Sequence, residues 1–151
     1  MATVINGIEG LTSMIGVPLG TSEPLLITQE RVNLFADATG DHQWIHVDPD
    51  RAKAGPFGTT IAHGYLTLSI LPELLGQILT VTGVSMGVNY GANKIRFPSP
   101  VPVGATVTAS ASIAGVKEIP GGAQVTMDTE VTVEGASKPS MVAQLVFNYY
   151  A

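Results

Sequence analysis

The sequence predicts an α+β fold, one buried helix set against one curled antiparallel sheet. Three observations carry this. From Ala62 to Leu79 the apolar residues recur at helical spacing. After Thr82-Gly83 the period drops to two, and at least four strand segments follow. The helices come first along the chain and the strands after, with no internal repeat. At 151 residues the chain is read as one domain over residues 1–151, long enough to bury a sizeable core.

Residues 1–20 carry little pattern beyond Leu11, Met14, Ile15, Val17 and Leu19, and read as a first strand or an extended arm. Thr21-Ser22-Glu23-Pro24 is a turn-rich break. Thr28 then suits an N-cap, and Glu30 places a carboxylate in the first turn, where the helix dipole favours it. This helix presents Val32, Phe35, Ala36 and Thr39 on one side and stops at Gly40. A short helix follows, capped by Asp48, with Pro49 at its first position and Gly55 at its end. Pro56-Phe57-Gly58 is a turn.

In the central stretch Leu66, Ile70, Leu74 and Ile78 form one row, and Leu71, Leu75 and Leu79 another. Leu68 widens the stripe, so this helix is expected to be buried on most sides, with Tyr65, Leu66 and Leu68 in the core. Pro72 lacks an N–H and is expected to kink it. The strand from Val84 to Phe97 carries Gly87 and Gly91, each able to admit a bend or bulge. A stiff connector, Pro98 to Gly104, precedes a strand alternating Val107, Ala109, Ala111 and Ile113. Pro120-Gly121-Gly122 reads as a hairpin turn into Val125, Met127, Thr129, Val131 and Val133. After Lys138-Pro139, a last strand sets Met141, Ala143, Leu145, Phe147 and Tyr149 on one face.

Composition narrows the function. The chain is 45% hydrophobic and 13% charged, which points to surface buried in an oligomer. Its net charge is −5, and its seven Lys and Arg form no dense patch, which argues against a nucleic-acid partner. An anionic substrate would need local cations against that field. Cysteine is absent, so disulfides, a thiol nucleophile and thiolate metal sites are excluded. No apolar run is long enough for a membrane span, and the first residues lack a signal-peptide pattern, so a cytoplasmic location is expected.

The chemistry concentrates in Gly40-Asp41-His42-Gln43-Trp44-Ile45-His46. Asp41 and His46 stand five residues apart, a spacing that neither a regular helix nor a strand brings together. They meet only if the chain between them is irregular. Two readings follow from spacing alone. A converging carboxylate and imidazole would hold and deprotonate a water. Alternatively, Asp41 ends the preceding helix and His46 is structural. Asp41, His42 and His46 as metal ligands is a third, lesser reading, lacking a clear further ligand or a helical frame.

The string Phe35-Ala36-Asp37-Ala38-Thr39-Gly40-Asp41-His42-Gln43-Trp44-Ile45-His46-Val47-Asp48 resembles the hydratase-2 motif of the MaoC-like dehydratases. Ala62-His63-Gly64 before an apolar helix resembles that family's second signature. Ile95-Arg96-Phe97 with Pro100-Val101 and Gly104 resembles its strand-and-connector element. The likeness is greatest to the short, single-domain (R)-specific enoyl-CoA hydratases. It implies a hot-dog fold, an antiparallel sheet wrapped around a long central helix. It also implies a homodimer with sheets joined edge to edge, an acyl-CoA substrate, no separate cofactor and no metal. By the same resemblance Asp41 and His46 fall on the catalytic pair, and Gly64 on the amide that holds the thioester oxygen. Gln43 stands where Asn is usual and keeps an amide for a polar contact. Trp44 stands where Pro is usual and forgoes its rigid turn. Lys94 and Arg96 are candidates for coenzyme A phosphates, with a solvated strand face as the alternative. His42 reads as solvent-facing and His63 as shaping the turn before Gly64. A dehydratase acting on acyl carrier protein substrates, a thioesterase on the same fold and a non-catalytic acyl-binding subunit are the rival functions.

Overall fold

The computed structural model describes residues 1–151. Its main sheet is built from β2 (Pro18–Thr21), β3 (Leu25–Leu26), β5 (Met86–Arg96), β6 (Thr106–Ile119), β7 (Gly122–Val133) and β8 (Met141–Tyr150). The spatial order is β2-β6-β7-β8-β5, with β3 also paired to β6, and every pairing is antiparallel. Alternation decides which face is buried. Val107, Ala109, Ala111 and Ile113 of β6, Val125, Met127 and Val131 of β7, and Met141, Ala143 and Leu145 of β8 all point inward. Against them lie Leu66, Ile70, Leu71, Leu74, Leu75 and Ile78 of the central helix, in one continuous core. This is the hot-dog arrangement.

The central helix is two pieces, α5 (Gly64–Ser69) and α6 (Leu71–Ile78). Pro72 occupies the first turn of α6, where a missing N–H costs least, so the expected kink is a break at Ile70. Leu79, read from spacing as helical, instead opens β4 (Leu79–Thr82). That strand pairs in parallel with β1 (Thr3–Asn6), and α1 (Gly7–Ser13) buries Leu11 beneath it in the core. Of the first strand or extended arm expected over residues 1–20, the strand is present as β1, and α1 and the start of β2 fill much of the rest. Tyr65, expected in the core, is 69% exposed. It sits on the outer side of the first turn of α5, because Leu66 and Ile70 fill the row facing the sheet. Leu66 is buried and Leu68 half-buried, as expected.

The two glycines of β5 do different work. The register shifts between Asn89 and Gly91, a bulge that sets Tyr90 outside the pairing. Gly87 stays in register, and a Cβ there would lie 2.9 Å from the Tyr149 ring. Strand β5 has no partner on its outer side and is exposed for most of its length. No helix is long and apolar enough to cross a membrane.

Leu74 is fully buried between helix and sheet. Leu74→Ala is expected to destabilise the fold by about 2–5 kcal/mol, read as a lower urea midpoint at unchanged slope.

Candidate active site

Helix α2 (Gln29–Thr39) delivers the first residue. Thr28 caps it by accepting from the Arg31 N–H at 3.1 Å, and Gly40 ends it in the left-handed conformation at φ +83°. Asp41 follows, and its Oδ1 accepts from the Gln43 N–H at 3.3 Å. Gln43 is extended, and the chain then makes a single helical turn, α3 (Trp44–Val47). That extended residue before a turn is the irregularity that lets Asp41 and His46 face each other. Trp44 takes the first helical position, where proline is otherwise favoured. Its ring is held by packing instead. Gly55, just past α4 (Pro49–Lys53), leaves room for it, since a Cβ would lie 2.9 Å from the indole. The Arg51 guanidinium covers the ring at 4.4 Å.

His46 is buried and tightly held. Its Nδ1–H donates to the Ile61 carbonyl at 2.7 Å, so the neutral ring leaves Nε2 as a free base. The Ile61 N–H donates to the Ile45 carbonyl at 3.0 Å. Gln29 Nε2 donates to the His46 carbonyl at 2.7 Å, and Gln29 Oε1 accepts from Thr60 at 2.6 Å. Burial, the largest cause, lowers the His46 pKa below the ordinary 6.5. The Ile61 hydrogen bond and Asp41 oppose the shift, while the nearby His63 adds to it.

His63, just before α5, is 3% exposed, and its sequence context implies only a turn-shaping part. Its ring stacks on His46 at 3.9 Å between centroids and 25° between planes. Its Nε2–H donates to the Asp41 carbonyl at 2.9 Å. The sole available signal was a histidine in an apolar run at a helix start, and its partner lies 22 residues back.

Gly64 opens α5, so its N–H is among the first-turn donors a helix leaves unpaired. A Cβ there would meet the Phe97 ring at 3.0 Å. Gly64 and His46 line one cavity of about 350 Å³, closed by Phe57, Ile61, Phe97 and Pro100 among others. Asp41 is exposed and does not line it, but a carboxylate oxygen lies within 4.8 Å of ring nitrogens of both His46 and His63. The structure thus brings together Asp41, His46 and Gly64. Gln43 is exposed and lies outside the cavity lining. Lys94 and Arg96 are on the outer sheet face, opposite Gln144 and Val142, and neither lines this cavity. Lys94 lines a separate groove with Asp128 and Glu130, and the Arg96 guanidinium turns back to the Ile95 carbonyl at 2.7 Å.

The lesser grouping of Asp41, His42 and His46 is not the one the fold assembles, and His42 is solvent-facing as expected. His42 points outward and pairs with Asp37 at 2.9 Å, and His63 takes its place beside the other two.

An aspartate and a buried imidazole beside a small cavity, at the head of a helix wrapped by a sheet, make a candidate acid–base site on a hot-dog scaffold. The family model described as MaoC like domain matches residues 11–135, and the chain belongs to this family of hydratases and dehydratases. It is 56% identical to 3-hydroxyacyl-thioester dehydratase Z of Mycobacterium tuberculosis, over 95% of this chain and 96% of that one. It is 34% identical to the (R)-specific enoyl-CoA hydratase of Rhodospirillum rubrum, over 72% of each. Among solved structures, the monoamine oxidase regulatory protein of Archaeoglobus superposes with a TM-score of 0.80 at 26% identity, covering 100% of this chain and 99% of that one.

The two loop histidines are expected to titrate in opposite senses. His42, hydrogen-bonded to Asp37, has its pKa raised above 6.5, and His46 has it lowered. As pH falls, NMR is expected to show His42 protonating first and His46 later. Between 6.5 and the depressed His46 value the unfolded chain binds that proton and the folded chain does not. Stability is therefore lost as pH falls through this window.

Proposed function

We propose that the protein is an (R)-specific enoyl-CoA hydratase of fatty acid metabolism, adding water reversibly to trans-2-enoyl-CoA to give (3R)-hydroxyacyl-CoA. The observation that carries this is the convergence of the Asp41 carboxylate, the free Nε2 of His46 and the start of α5 at Gly64 beside one cavity. Asp41 and His46 hold a water between them. The water oxygen bonds to C3 as His46 Nε2 takes one of its protons. The C2–C3 π electrons move to the thioester oxygen, where the Gly64 N–H stabilises the charge. Such a donor typically contributes roughly 3 kcal/mol in the transition state. His46 then returns the proton to C2 on the same face, so the net change is one water added, syn. The Gln43 amide is assigned a polar contact to the substrate.

Room for an acyl chain supports this reading. Hollows of about 460 and 490 Å³ run between α6 and β5, sharing Pro72, Asn89 and Phe147. The exposed apolar edge of β5, with Met86, Val88 and Tyr90, supports a homodimer in which two such strands pair. Lys94 and Arg96 lie on that strand, so their part in binding coenzyme A phosphates is assigned within the dimer. The reverse reaction on a 3-hydroxyacyl thioester, on coenzyme A or on acyl carrier protein, uses the same groups. The name of the mycobacterial relative favours keeping it as the second reading.

The test is to incubate the purified protein with 2-enoyl-CoA of several lengths, follow loss of the conjugated double bond and determine the product's configuration. Higher activity on carrier-linked substrates would favour the second reading, and free thiol release from saturated acyl-CoA would mark a thioesterase. Asp41→Asn and His46→Gln are each expected to lower hydration by about 10²–10⁴-fold, with circular dichroism unchanged. Normal turnover in either would reject the assignment. Val88→Lys with Tyr90→Lys is expected to shift sedimentation from dimer to monomer.

A further inference from the structure

His63 is the one buried titratable group at the site that the reaction above does not use. It makes three contacts that matter together. Its Nε2–H donates to the backbone carbonyl of Asp41 at 2.9 Å. Its ring lies on His46 at 3.9 Å, and the Phe35 ring of α2 backs it at 4.9 Å. Its own carbonyl accepts from the Leu66 N–H at 3.0 Å and the Thr67 N–H at 3.2 Å, anchoring it to α5. Its Nδ1 is buried without any hydrogen-bond partner. A buried acceptor left unpaired destabilises the fold by about 1–3 kcal/mol, so stability alone does not account for a histidine here.

We propose that His63 is a positioning residue for the hydration reaction. Its ring N–H fixes the backbone of Asp41 and its face fixes the plane of His46. One side chain thereby sets the spacing of acid and base, next in sequence to the amide of Gly64. The proposal rests on the reading of Asp41 and His46 given above. It would make the AlaHisGly segment, Ala62-His63-Gly64, a single part that aligns all three groups.

Two variants separate the contacts. His63→Phe keeps a ring to stack and removes both the donor and the unpaired acceptor. His63→Gln keeps an N–H near the position of Nε2 and removes the ring. His63→Phe is expected to lower kcat by about 10- to 100-fold, the scale of a small misplacement of reacting groups, with KM changed less than about threefold. Its melting temperature is expected to hold or rise, whereas a merely structural role would lower it. His63→Gln is expected to recover part of kcat. The titratable groups facing His46 are Asp41, on the loop before it, and His63 itself; Phe35 and Ile61 bring none. Removing the second imidazole is therefore expected to move the acid limb of kcat/KM to higher pH.

Wild-type kcat with an unmoved acid limb in His63→Phe would overturn the proposal. So would equal losses in both variants with equally lowered melting temperatures. Should His63→Phe fail to fold, His63→Gln decides: an acid limb moved upward at retained stability supports the proposal, and an unmoved one overturns it. Should the wild type not hydrate enoyl-CoA, the functional reading fails separately. Nitrogen NMR of His46 then judges His63 alone, a changed tautomer or pKa in the variant sustaining its role and identical spectra refuting it.

Discussion

The hydrogen bond from His46 Nδ1–H to the Ile61 carbonyl, 2.7 Å long and buried, is the contact on which the rest of the site depends. It selects the tautomer, fixes the ring plane and aims Nε2 outward. Ile61 holds that position because it is itself tied on both sides. Its N–H reaches Ile45, and it forms a bridge with Pro102 of the connector. The neighbouring Ala62 N–H donates to Val101, and Val103 donates back to Thr60. Three prolines, at 98, 100 and 102, stiffen that connector. The histidine's orientation is thus inherited from a braced extended segment, not from its own one-turn helix.

Burial and hydrogen bonding then set two histidines of the same loop apart. His42, exposed beside Asp37, favours its proton. His46, desolvated and stacked, sheds it. A base must be unprotonated near neutral pH to accept a proton, and the fold produces that state by exclusion of water more than by any single partner. Asp41 stays exposed to solvent.

Local signals made much of the scaffold legible. Thr28 and Gly40 bracket α2, Asp48 and Pro49 start α4, and alternation of Val, Ala, Ile and Met marks β6 to β8 with their inward faces. What the sequence hid were features with distant causes. The pairing of β1 with β4 joins residues 76 apart, and nothing local distinguishes Leu79 as a strand residue from one more helical turn. The helix α1 contains two glycines and buries only Leu11. Tyr65 reads as core by spacing, yet its turn faces outward. At the site, Asp41, His46 and Gly64 were readable as residue types at positions, and the structure brings them together. The stacking of His63 was not, because it depends on how two segments cross.

The packing around Trp44 has an optical consequence. It is the only tryptophan in the chain, it lies two residues before His46, and a guanidinium lies over its ring. Tryptophan emission, excited to the red of the four tyrosines, therefore originates at one indole, in the turn that carries the imidazole. Whatever loosens that turn must change the light the molecule gives out, with no label attached.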